Sequence, residues 1–251
     1  MTIKAIVFDA YGTLYDVQSV ARVTDAAFLG HGDFITQVWR IKQLEYTWLL
    51  SMMDRYADFW SVTKDALAYT LDTLNLQADP ALFGLIADAY NNLEPYPDAR
   101  TTLTSLSAYR LAILSNGSPD MLRTLTENSG FSNLFEAIIS VDEKKVFKPD
   151  PRAYELVRER LGVEPKDVLF VSSNGFDISG AKSFGFNVAR IERVTPETLR
   201  KELTDAATIG PSSMFKALRT QIERIGPPPD FVLSALADLP KLLSRGTTAT
   251  E

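Results

Sequence analysis

The chain of 251 residues contains no cysteine. Disulfides, thiolate nucleophiles and cysteine-bound metal sites are excluded together. Histidine is nearly as scarce. His31 is the only one, set between glycines in "LGHGDF", and it reads as an exposed loop residue. A catalytic triad or a histidine-rich metal site has no second histidine to recruit. No apolar run reaches the roughly 20 residues that span a bilayer. The opening "MTIKAIVFDA" reads directly as a strand and lacks the h-region of a signal peptide. The net charge is −6, with no basic stripe to follow a nucleic-acid backbone. The expectation is a soluble cytoplasmic protein with neither a nucleic-acid nor a membrane partner.

What is present is ordinary globular composition, 45% hydrophobic and 23% charged. The length suits one large domain, or one domain carrying an insertion. Four apolar runs read as buried parallel strands: "IKAIVF" (3–8), "RLAILS" (110–115), "DVLFVS" (167–172) and "NVARI" (187–191). They are continuous rather than alternating, as expected when both sheet faces are covered. A fifth, "DFVL" (230–233), follows the break "GPPP". Helical patterns lie between them. "SPDMLRTLTENSG" places Ser118 as N-cap and Gly130 as terminator; "DPRAYELVRERLG" does the same with Asp150 and Gly162; "TPETLRKEL" opens on Thr195. This alternation predicts an α/β fold, a Rossmann-like doubly wound parallel sheet.

Residues 17–98 break the alternation. "FITQVWRIKQLEYTWLLSMMDRYADFW", "TKDALAYTLDTLNL" and "DPALFGLIADAYNNL" space their apolar residues helically. They predict a helical cap inserted after the first strand, with 1–16 and 99–251 as the core. A further helical insert occupies about 195–228, and the tail "GTTATE" reads as frayed.

In open α/β sheets, ligands bind beyond the carboxyl ends of the strands. Strand one ends at Asp9, strand two at Ser115 and Asn116, strand three at Ser172, Ser173 and Asn174, with Asp177 just beyond. Each has an ordinary alternative: Asp9 as a turn cap, Ser115 and Asn116 as turn residues before Gly117, Asp177 as a helix cap. Their convergence on one sheet edge favours a site. Lys148, in "VFKPDP", lies just before a helix N-terminus, where a cation is poorly placed unless a carboxylate pairs with it. Arg40 has no acidic neighbour at helical spacing; it either snorkels on the surface or faces the sheet edge from the cap.

"FDAYGTLYD", "ILSNG", "VFKPDPRAY" and "FVSSNGFDISGAKSFGF", in that order, together with "QVWRIKQLEYTW", resemble the haloacid dehalogenase superfamily, and closely its L-2-haloacid dehalogenases. Phosphatase relatives use a second Asp two residues after the first, and Mg²⁺ held partly by an acidic last motif. Here Tyr11 and Asn174 stand at those places, which points away from a metal, since Mg²⁺ wants carboxylate oxygen. Halide leaves without protonation, so Tyr11 is no handicap.

The resemblance implies a metal-independent, cofactor-free hydrolase that converts L-2-haloalkanoic acids to D-2-hydroxy acids and halide through an aspartyl ester. It implies Asp9 as nucleophile and Asp177, with Asn174, as water activator. Lys148 would pair with both carboxylates, and Thr13, Ser172 and Tyr154 would orient the network. The halide cradle would be Arg40, Asn116 and Phe176. The substrate carboxylate would sit on the Ser115 hydroxyl and the N–H groups of Ala10 and Tyr11. Ile41, Leu44, Phe59 and Trp39 would line the apolar wall. Ile41 departs from the family, where glutamine follows the cap arginine, and is expected to affect substrate range. A homodimer is also implied, with Met214, Phe215 and Leu218 of the insert seeking a partner surface. The competing readings are an Mg²⁺-dependent phosphatase of the same superfamily and a non-catalytic anion-binding relative.

Overall fold

A computed structural model describes residues 2–246. In chain order its strands are β1 (Ala5–Phe8), β2 (Tyr15–Asp16), β3 (Glu94–Pro95), β4 (Arg110–Ser115), β5 (Ala137–Ser140), β6 (Val168–Ser172), β7 (Asn187–Ile191) and β8 (Phe231–Leu233). The helices begin with α1 (Ala21–Ala27), α2 (Gly32–Met52), α3 (Phe59–Thr73), α4 (Pro80–Asp88), α5 (Ala99–Ser105) and α6 (Pro119–Asn128). They continue with α7 (Pro151–Leu161), α8 (Gly175–Phe184), α9 (Pro196–Asp205), α10 (Pro211–Thr220) and α11 (Leu239–Gly246).

The main sheet has six strands in the order β5-β4-β1-β6-β7-β8, and every pairing is parallel. Burial explains the continuous apolar runs: all of β1 and β6, and β4 beyond its first residue, are buried. Register decides where the chemistry falls. Phe8 of β1 lies level with Ile113 of β4 and Val171 of β6. The next residues along, Asp9, Leu114 and Ser172, therefore emerge together at the carboxyl edge.

The structure differs from the sequence expectation in several places. The sheet has a sixth strand, β5, whose "AIIS" is too short to stand out from the loops around it. The long pattern in 34–60 is not one helix. It breaks after Met52, Asp54 takes a left-handed φ of 52°, and Asp58 caps α3 by accepting from Ser61 N–H. Helix α1 precedes them, unmarked by a strong apolar period. Ser118 occupies the N-cap position of α6 without a side-chain capping bond. Asp150 and Thr195 do cap their helices, accepting from Arg152 and Thr198 N–H. Gly162 closes α7 at a φ of 61°, where a side chain would be strained. The helical insert predicted at 195–228 contains α9 and α10. Gly246 ends α11, and the rest of the tail read as frayed lies outside the described residues.

The chain leaves the sheet after Asp9 and returns through residues 94–99. At the two crossing points β2 and β3 pair as a short antiparallel ribbon, Tyr15 opposite Pro95 and Asp16 opposite Glu94. Between them α1–α4 form a helical layer, with α2 packed on both α1 and α3.

Candidate active site

The site is built around Asp9. Asp9 is 5% exposed, and its carboxylate is held by three donors. Thr13 Oγ1 and Asn174 Nδ2 donate to Oδ2 at 2.9 and 2.6 Å, and Lys148 Nζ approaches Oδ1 at 3.2 Å. Gly12, at φ 84°, lets the chain turn sharply enough to bring Thr13 back onto Asp9. The turn closes through Gly12 N–H to Tyr15 O and Tyr15 N–H to Ala10 O. The N–H groups of Ala10 and Tyr11 take no part in that closure.

Lys148 is buried and organises the centre. Its ammonium donates to Asp177 Oδ2 at 3.0 Å and to Leu114 O at 2.7 Å besides meeting Asp9. This is the carboxylate pairing that its placement near a helix start required. Asp177 is fully enclosed. Ser172 Oγ donates to its Oδ2 at 3.0 Å and Tyr154 OH to its Oδ1 at 2.9 Å. It does not cap α8; it stands inside the first turn, and Asn174 occupies the N-cap position without a capping bond. Burial pushes the Asp177 carboxyl up to about 6, Lys148 opposes that shift, and Asp9 adds to it. Burial also raises the Tyr154 hydroxyl, so it remains a donor.

Ser115 and Asn116 serve both the turn and the site. Ser115 Oγ accepts from Gly117 N–H at 3.2 Å, which leaves its own proton to donate elsewhere. Asn116 Oδ1 accepts from Lys148 N–H at 2.9 Å, which turns its amide N–H₂ the other way. Arg40 is 3% exposed, so the surface alternative falls. Its Nη1 donates to Gln43 Oε1 at 2.5 Å, Gln43 donates on to Thr63, and Arg40 Nε has no partner among the described residues. Asn174 Oδ1, also buried, likewise lacks one.

The apolar wall is only partly the expected one. Phe59 packs on the Tyr11 ring at 5.4 Å, and Leu44 is buried one turn along from Arg40. Phe176 meets Trp48 edge-on at 5.3 Å. Trp39 is instead sealed inside the helical layer: its Nε1 donates to Thr63 O, and its ring meets Tyr90 at 4.6 Å. Ile41 is half-buried, one residue and so about 100° round the helix from Arg40, and lines neither cavity bordering the site. Sequence reasoning missed Gln43, Trp48 and Arg219. Gln43 and Trp48 stand at i+3 and i+8 from Arg40 and so share its face of α2, a usable signal. Arg219 sits on α10, which nothing in the sequence ties to the sheet edge.

Two cavities border this centre. One, of about 400 Å³, is lined by Gly12, Ser173, Asn174, Arg40 and residues of β7 and α10. The other, of about 610 Å³, is apolar and lined by Trp48, Met52, Phe147, Phe176 and Ile225 around Lys148.

A carboxylate aimed from the end of the central strand, backed by a buried lysine and a second carboxylate and roofed by inserted helices, defines a hydrolase class. The family model for haloacid dehalogenase-like hydrolases matches residues 3–185, and the chain belongs to that family. Within it, the chain is 59% identical over 241 residues to an (S)-2-haloacid dehalogenase of Xanthobacter autotrophicus, covering 96% of this chain and 95% of that one. It is 47% identical over 193 residues to an (S)-2-haloacid dehalogenase of Pseudomonas fluorescens, covering 76% and 85%. The solved structure of the L-2-haloacid dehalogenase from Xanthobacter autotrophicus with chloropropionic acid covalently bound superimposes with a TM-score of 0.93 at 58% identity, covering 97% of this chain and 99% of that one.

Proposed function

We propose that this protein hydrolyses L-2-haloalkanoic acids to D-2-hydroxy acids and halide through an ester on Asp9. The observation that carries the reading is the solitary carboxylate: Asp9 is held by Thr13, Asn174 and Lys148, with Tyr11 where an acid would otherwise stand. The similarity to haloacid dehalogenases, one of them with chloropropionic acid covalently bound, supports it.

Asp9 Oδ1 meets only Lys148, at 3.2 Å, and so keeps a lone pair uncommitted. It attacks C2; the carbon–halogen bond breaks and its electron pair leaves with the halide, inverting C2. Splitting the displacement this way makes two easier steps from one hard one. Holding the reactants in line contributes up to about 7–11 kcal/mol. The free N–H₂ of Asn116, the Arg40 guanidinium and the Phe176 ring edge receive the halide, so charge is stabilised where it develops. Ser115 Oγ–H and the Ala10 and Tyr11 N–H groups hold the substrate carboxylate.

Water then adds to the Asp9 carbonyl carbon. The unpaired Asn174 Oδ1 accepts from that water and aligns it, while Asn174 Nδ2 and Thr13 stabilise the oxygen that gains charge. Asp177 takes the water proton. The tetrahedral centre collapses and expels the product alkoxide, which takes the proton left on the added oxygen and so returns the Asp9 carboxylate, while Asp177 gives its proton up to solvent. The donor set does not suit Mg²⁺: both carboxylates are already bridged by the Lys148 ammonium, and the last motif offers an amide.

Residues 17–98 act as a cap over a core of 1–16 and 99–251. The insert exposes Ile209 in the loop between α9 and α10, and Met214 and Leu218 on α10, at 66, 51 and 59%, which supports a homodimer built on them; Phe215 instead lines the smaller cavity. Sedimentation would check the dimer. Cytoplasmic residence belongs to the same proposal, and cell fractionation would check it.

A single turnover of L-2-chloropropionate in ¹⁸O water tests the mechanism. Label entering Asp9 before the product is expected. Label passing straight into the product refutes the ester. The D enantiomer is expected to release no chloride, and a chelator is expected to leave the rate unchanged.

A further inference from the structure

The smaller cavity lies between α2, α10 and the end of β7. One wall is the turn that holds Asp9, through Gly12, Ser173 and Asn174. The others carry Arg40, Arg190, Arg193, Lys216 and Arg219, together with the carboxylates of Asp16 and Glu192. Most of that positive charge is already committed. Arg190 pairs with Glu192 at 3.4 Å, Arg193 with Asp98 at 2.9 Å and Lys216 with Glu202 at 2.7 Å. Among the described residues, no carboxylate forms an ion pair with Arg40 or Arg219. The Arg219 guanidinium lies 5.7 Å from the centre of the Phe215 ring.

The backbone holds α10 where this happens. Ser212 N–H donates to Asp33 Oδ2 at the start of α2, and Arg190 donates to Thr220 O at the end of α10. Arg219 thus lines the same cavity as Gly12 of the Asp9 turn. Burial and the nearby Arg40 charge push its guanidinium down to about 10, while Glu223, Asp9 and Tyr96 pull the other way. Arg40 is buried and Arg219 half-buried, and neither is ion-paired, so an anion between them offsets their mutual repulsion.

We propose that this cavity is an anion-transfer site, separate from the halide cradle against Asp9, in which Arg219 and Arg40 hold a monovalent anion on its way to or from the nucleophile. Arg40 stands between the two positions and hands the anion from one to the other. The proposal rests on the dehalogenase reading for the identity of its anions, a substrate carboxylate inward and a halide outward. Arg219 is a positioning residue that does not touch the reacting carbon.

The test begins on resting protein. Excess line width of ³⁵Cl NMR in a chloride titration reports bound, exchanging chloride without any turnover. Arg219→Gln is expected to remove a large part of that width, and Arg219→Lys to keep most of it. The kinetic arms separate the two sources. A kcat/KM for L-2-chloropropionate lowered about tenfold, with single-turnover ester formation at saturating substrate unchanged, assigns inward steering of the carboxylate. A lowered kcat with weakened chloride product inhibition and unchanged kcat/KM assigns halide release. Unchanged line width in Arg219→Gln overturns the proposal. So does equal damage to kcat, KM and Tm by both variants, which would mark a structural arginine. If the protein releases no chloride from 2-chloropropionate yet Arg219 still governs line width, the dehalogenase reading fails and the anion site stands.

Discussion

At the scale of single residues, the centre divides its two carboxylates by environment. Asp177 is fully enclosed and raised to about 6. A base must be ionised to take a proton from water. Activity is therefore expected to be lost as pH falls through about 6, and a pH profile of kcat on L-2-chloropropionate checks it. The same enclosure makes the charged form costly to fold: its carboxyl binds a proton more readily folded than unfolded. That contribution to stability is present below the unfolded value and lost as pH rises through about 6. Asp177→Asn is expected to leave the first step intact and stop the second. One chloride per chain should be released in a burst, and mass spectrometry should find Asp9 esterified by the 1-carboxyethyl group of the substrate. Lys148→Met strands two buried carboxylates. Breaking such a pair costs about 3–5 kcal/mol, which chemical denaturation would measure.

Asp9 and the polar residues that end β4 and β6 were legible because each is a polar side chain at the end of an apolar run. A register of parallel strands brings such ends together without any further information. Trp39 was misplaced for the opposite reason. A tryptophan beside a cap arginine looks like pocket lining, yet its N–H found Thr63 O and turned the ring inward. Arg219 could not be read at all. Its relation to Asp9 depends on how α10 docks on α2, a tertiary fact that no local pattern encodes.

At the scale of elements, α8 is placed by what it lacks. A Cβ at Gly180 would stand 2.4 Å from Tyr154 OH and 2.7 Å from Pro149 Cβ. The glycine lets α8 lie close enough to α7 for Tyr154 to reach Asp177. Gly180→Ala is expected to destabilise by about 1–3 kcal/mol through overpacking. It should also slow ester hydrolysis more than ester formation, which burst kinetics would separate. The small strands escaped sequence reading because two to four residues carry no period. β5 is visible only as the partner of β4, and the ribbon of β2 and β3 only as a crossing of distant segments.

At the scale of the molecule, one side chain joins three regions. Arg193, just past β7, donates to Asp98 where the chain re-enters the core. It also donates to Thr13 O beside the nucleophile, and its guanidinium lies 3.9 Å from the centre of the Tyr96 ring. Charged hydrogen bonds of this kind are worth about 1.5–3 kcal/mol each. Arg193→Ala is expected to lower the melting temperature and to reduce kcat, because the Thr13 turn loses its brace. Differential scanning calorimetry beside chloride release would show both.

The ribbon of β2 and β3 has a consequence for how such a molecule can be rebuilt. Tyr15 and Pro95 are neighbours in space although the whole roof lies between them in the chain. A segment whose two ends already touch can be excised and bridged by a few residues at small entropic cost, or exchanged for a roof of different shape. The chain itself passes between the nucleophile's scaffold and the helical layer only at this seam, although side-chain bonds such as Tyr56 to Asp142 also join them. Swapping the layer should redirect substrate choice while leaving the scaffold to fold as before.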